Sequence, residues 1–102
     1  MPSQKVPKAT MSWGSLNSNT QEFFFTLCEL VAVESRDPSL VAPARIGANS
    51  SIQLAMAQLP LLSNLKKAGL CRTFADSSRK SQKWLEISPA GRDVYESATG
   101  GN

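Results

Sequence analysis

The chain has 102 residues, enough for one domain and too few for multidomain machinery. Hydrophobic residues make up 41% and charged residues 19%, a balance that fills a modest core and excludes wholesale disorder. The formal net charge is +3 and there is no histidine, which excludes imidazole-based dyads and triads and most zinc sites.

The opening stretch, MPSQKVPKATMSWGS, has no apolar run of the length a secretory signal needs, so a cytoplasmic protein is expected. Residues 1–18, polar and small with Pro2, Pro7 and Gly14, read as a flexible arm whose end Trp13 is placed to anchor. From Asn19 the pattern changes. Asn19 with Glu22 resembles a capping box, and Phe23, Leu27, Leu30 and Val31 recur at helical spacing, predicting a helix over about 20–34. The triplet Phe23-Phe24-Phe25 widens the apolar face. Core packing is the first expectation for it, and contact with another chain the second, with Phe23, Phe24, Leu27 and the later Tyr95 as the residues for a homodimer or partner contact.

Asp37-Pro38 resembles a helix start, and Pro43 keeps any helix over 38–46 short or kinked. A turn follows over 47–51, and residues 52–68 read as mostly helical. Pro60 either kinks that segment or begins a second helix, and Gly69 ends it. Residues 71–75 and 82–87 alternate like strands around a polar turn, which predicts a two-stranded hairpin with Leu85 and Ile87 inward and Trp84 and Glu86 on the other face. Ser88-Pro89 is an N-cap with proline at the first helical position, opening a short terminal helix over about 89–97. Residues 98–102 are expected to fray. Neither apolar stretch, 23–33 nor 52–65, is long and uninterrupted enough to span a membrane, so no membrane association is expected.

Charge divides unevenly along this order. The first helix carries Glu22, Glu29 and Glu34, whereas Lys66, Lys67, Arg72, Arg79, Lys80 and Lys83 gather in the second half, where they favour a polyanionic partner. Cys28 and Cys71 lie far apart with no second pair, and buried reduced thiols are the expected reading. No glycine-rich phosphate loop is present, and neither cysteine has an adjacent base, so neither catalysis nor a cofactor is expected.

The stretch PLLSNLKKAGL over 60–70, followed by KWLEISPAGRD over 83–93, resembles the recognition helix, wing and wing exit of winged helix-turn-helix regulators, closest to the PadR and MarR families. The phrases that carry the likeness are Leu65-Lys66-Lys67-Ala68-Gly69-Leu70 and Ser88-Pro89-Ala90-Gly91-Arg92, and the resemblance covers residues 52–97. It implies a mainly α domain with a small β-hairpin, an α+β winged helix over 19–97 with three to four helices, a two-stranded wing and a short C-terminal helix. The implied function is a DNA-binding transcriptional repressor, dimeric on double-stranded DNA, with a helix in the major groove and the wing on the backbone.

In that arrangement Ser50, Ser51 and Gln53 sit at a helix start facing phosphates, and Gln53 and Gln58 face base edges. Arg79 and Lys80 reach a phosphate or the minor groove from the hairpin tip, flanked by Arg72 and Lys83. Where such regulators place polar base-reading side chains, this chain has Ala55, Met56, Ala57 and Leu59. The alternative is therefore a winged-helix module for protein–protein interaction or assembly, without strong DNA binding.

Overall fold

The computed structural model describes residues 13–78 and 81–99. A 3-10 turn over Trp13–Ser15 leads into helix α1 (Ser18–Ser35), followed by strand β1 (Ala44–Gly47), a second 3-10 turn (Met56–Gln58), helix α2 (Leu59–Lys67), strands β2 (Cys71–Ala75) and β3 (Gln82–Ile87), and helix α3 (Pro89–Ala98). The described residues thus form an α+β fold, with helices packed around a three-stranded antiparallel sheet of order β1-β3-β2.

Helix α1 begins two residues earlier than predicted. Asn17, not Asn19, is the N-cap, its Oδ1 accepting from the Thr20 backbone N–H at 2.8 Å. The turn before it is ordered as well, which shortens the expected arm. Leu16 is buried, and the Trp13 ring meets Phe24 and Phe25 edge-on, each at 5.4 Å between centroids. Residues 1–12 of that arm lie outside the described residues, as do 100–102 of the expected tail. Phe23, Phe24, Leu27, Cys28 and Val31 recur on one face of α1 and fill the core; Phe24 and Leu27 are fully buried, each contributing about 2–3 kcal/mol by removal from water.

Two stretches depart from their predicted elements. Over 38–46 no helix forms. The Asp37 carboxylate instead accepts from the backbone N–H groups of Ser39, Val41 and Ala42 at 2.9–3.1 Å, folding the chain into a turn that holds buried Leu40 at φ 63°. Pro43 then delivers the chain into β1, a strand absent from the sequence-based expectation, so the predicted two-stranded wing becomes a three-stranded sheet. The second departure is over 52–58. Ile52 bridges Ile46 and is buried, and regular α-helix starts only at Leu59, with Pro60 in its first turn, where the missing N–H costs nothing. Pro60 therefore opens a helix and does not kink one.

The C-terminal third follows its sequence closely. Gly69, at φ 74°, adopts the left-handed conformation that ends α2 and turns the chain into β2. Leu85 and Ile87 point inward and are fully buried. Ser88 caps α3, its Oγ accepting from Gly91 N–H at 3.0 Å while donating to the Gly69 carbonyl at 2.6 Å. None of the described helices is long and apolar enough to cross a membrane.

Candidate nucleic-acid interface

The exposed side of α2 and the inner face of the hairpin beyond the core enclose an open groove of about 380 Å³. Leu59, Ser63 and Lys66 fall four and three residues apart and so share the helix stripe that lines it. Across the groove, Thr73 and Lys83 stand on the same sheet face as buried Leu85, because cross-strand partners share a face and alternate residues return to it. Lys83 is opposite Ile46 in the β1–β3 ladder.

The groove is lined by apolar Ile46, Leu54, Leu59 and Leu62 and by polar Ser63, Lys66, Thr73, Ser81 and Lys83. The Lys66 ammonium donates to Thr73 Oγ1 at 3.2 Å, which steadies the cation over the groove without neutralising it. No carboxylate is among the described residues lining the groove. Two lysines on different elements, beside three hydroxyls, form a site that attracts a polyanion and donates hydrogen bonds to it.

The opposite face of the sheet has another character. Arg45, Trp84 and Phe74 line up across β1, β3 and β2. The Arg45 guanidinium lies 4.5 Å from the Trp84 ring centroid, and that of Arg72 lies 5.2 Å from Phe74. Both cations are paired with carboxylates, Arg45 with Asp76 at 2.6 Å and Arg72 with Glu86. This face is internally neutralised.

The residues singled out from sequence divide between these surroundings. Lys83 lines the groove. Arg72, predicted beside it, points to the other face and pairs with Glu86, because residues 72 and 83 fall on opposite sides of the hairpin pleat. Arg79 and Lys80 lie outside the described residues. Ser50, Ser51 and Gln53 do not begin a helix. Ser50 Oγ is spent on the backbone, within 2.6 Å of Gly47 O and 2.8 Å of Ile52 O, Ser51 is exposed in the same turn, and Gln53 Nε2 donates to the Ser50 carbonyl at 3.1 Å. Gln58 Oε1 accepts from Ala55 N–H at 2.8 Å, closing the turn ahead of α2. Two-point pairing with adenine needs both the oxygen and the nitrogen of one amide, and each glutamine has one of these engaged locally.

The predicted partner contacts on the first helix are also corrected. Phe23, Phe24 and Leu27 are 6%, 0% and 0% exposed, so the core takes them and a second chain cannot reach them. Tyr95 is half-buried on α3, its ring 6.2 Å from that of Phe25, and its hydroxyl pKa is raised chiefly by that burial.

Lys66, one of the cations gathered in the second half of the sequence, completes the groove together with Ser63 and Thr73, neither of them among the residues singled out from sequence. The spacing of Leu59, Ser63 and Lys66 is a signal in the sequence, since any helix through 59–66 puts them on one stripe, whereas the strand residues across the groove carry no such local mark. Comparison of the chain with known protein families, with curated proteins and with solved structures finds no match.

Proposed function

We propose that the chain is a winged-helix DNA-binding domain that seats α2 in the major groove of duplex DNA and rests the β2–β3 hairpin on the adjacent backbone, repressing transcription by occluding a promoter. The groove carries this reading: Lys66 and Lys83 line it from a helix and a hairpin, with Ser63, Thr73 and Ser81 and no carboxylate among the described lining residues. Support also comes from the order α1-β1-α2-β2-β3 with β3 central, an arrangement like that of a winged helix in which an irregular segment, 48–55, stands in place of the first helix of the helix-turn-helix pair. Charge is distributed in the same sense. Helix α1 carries Glu22, Glu29 and Glu34 and no cation, while α2 carries Lys66 and Lys67 and no carboxylate.

Electrophoretic mobility shift with random-sequence duplexes across a salt series tests the proposal. Binding is expected to weaken steeply with salt, and Lys66→Ala combined with Lys83→Ala to weaken it for all sequences alike, lowering the salt slope by about two. Arg72→Ala, on the opposite face, is expected to leave the slope unchanged. Absence of duplex binding at low salt would sink the reading. A protein-interaction module is the second reading, favoured by the 85% exposure of Met56 and the 48% exposure of Leu59. It predicts a protein complex lost on Met56→Glu, with no duplex binding at any salt concentration.

A further inference from the structure

The turn Met56–Gln58 runs directly into α2, so exposed Met56 stands just ahead of Leu59, which with Ser63 and Lys66 forms the helix stripe lining the groove. At the leading end of that stripe the side chains are apolar. Met56 is 85% exposed and Leu59 48%, whereas the neighbouring polar groups suited to reading bases are held by the chain's own backbone, Gln58 by Ala55 N–H and Gln53 by the Ser50 carbonyl. At the trailing end stands Lys66, with Lys83 across the groove. Leu59 thus shares its groove with cations suited to a phosphate strand, and Met56 is exposed just ahead of it.

A base pair shows the major groove hydrogen-bond donors, acceptors and one apolar feature, the C5-methyl group of thymine. An apolar tip gains nothing from the donors and acceptors and forfeits their hydration by covering them, whereas covering a methyl removes two apolar surfaces from water together. Building on the duplex-docking reading, we infer that Met56 and Leu59 read thymine methyls, so that the domain prefers thymine-bearing sites through contact with the methyl and not through hydrogen bonds to base edges. Methionine suits this role because its unbranched thioether side chain adapts to the position of the methyl. Lys66 and Lys83 supply affinity that is indifferent to sequence, and the apolar pair supplies the preference.

The test is a titration of two duplexes of the same sequence at one salt concentration, one carrying thymine and the other deoxyuridine at every thymine position, so that only the methyl groups differ. The thymine duplex is expected to bind more tightly, by about four-fold for each methyl covered, the factor that corresponds to burying one carbon. Met56→Ala combined with Leu59→Ala should bring the ratio to about one, whatever the change in affinity common to both duplexes; both positions are exposed enough for the fold to persist, which circular dichroism checks. Equal binding of the two duplexes by the unaltered chain overturns the inference and leaves duplex docking intact. A ratio that survives in the double variant also overturns it, because the preference would then come from duplex shape. Binding of neither duplex removes the reading on which the inference rests.

Discussion

The Leu70 carbonyl is a point at which three elements close. It accepts from Ser88 N–H at 3.0 Å just after Gly69 has turned the chain out of α2, and Gly91 in the first turn of α3 presses against it. A Cβ built on Gly91 would stand 2.2 Å from that oxygen and 2.9 Å from a methyl of Ile87, and backbone on the near side cannot retreat as a flexible side chain can. Gly91→Ala is therefore expected to destabilise the fold by about 1–3 kcal/mol through overpacking, read as a lower urea midpoint with an unchanged slope. The glycine of the Ser88-Pro89-Ala90-Gly91-Arg92 phrase thus has a packing reason of its own: only a residue without a side chain lets α3 lie this close to the start of β2.

Among the elements, β1 is tied to the hairpin by more than its ladder. Arg45 leaves the outer face of β1 to reach Asp76 just beyond β2, and the buried Asp76 carboxylate also accepts from Ser78 N–H at 2.9 Å and Ser78 Oγ at 2.7 Å. The Arg45 hydrogen bond, followed by those of Ser78, lowers the Asp76 carboxyl from 3.8 to about 2. A carboxyl lowered on folding stabilises the fold fully above its unfolded value and loses that contribution as pH falls towards the folded one. The loss therefore lies between about pH 4 and pH 2. Asp76→Asn should lower the thermal midpoint at pH 7 and flatten its decline across that acid window, as thermal melts at a series of pH values would record.

Legibility of the elements from sequence followed the range of their contacts. The β2–β3 hairpin and the Ser88 cap are local, and strand alternation with a capping residue suffices to find them. Strand β1 is four residues long, and Ala44 finds its partner only at Leu85, so no short window contains the pairing that makes it a strand. The segment before α2 misled for a related reason. Ile52, Met56 and Leu59 are spaced as on a helix, yet Ile52 is buried by its bridge to Ile46 while Met56 faces solvent. The candidate groove inherits both difficulties: Lys83 lies on the legible hairpin, whereas Ser63, Thr73 and the facing of Lys66 towards Lys83 depend on α2 packing beside the sheet.

At the scale of the whole molecule, one core joins α1, α2 and the inner sheet face, and the two thiols lie within it on α1 and β2. Cys28 and Cys71 are unpaired and 0% and 4% exposed, and burial pushes both thiols up to about 12. Neither is a useful nucleophile while the fold holds. A thiol-labelling time course at pH 8 in low urea should show both cysteines modified at a single rate that tracks global unfolding, since neither α1 nor β2 can expose its thiol without opening the shared core. Faster labelling of one of them would reveal an element that opens separately.

The position of β3 in the sheet has a consequence for how the fold is assembled on the ribosome. Strand β3 lies between β1 and β2, and β1 forms no ladder with β2, so the first two strands to be synthesised have no regular partner until the third leaves the exit tunnel. A nascent chain halted before Gln82 holds α1 and α2 without a ladder to close the core beneath them, and the helices lack the sheet that covers their apolar sides. Completion therefore waits on the synthesis of residues 82–87, after which β1, β2 and the helices can close together, late and as one cooperative event.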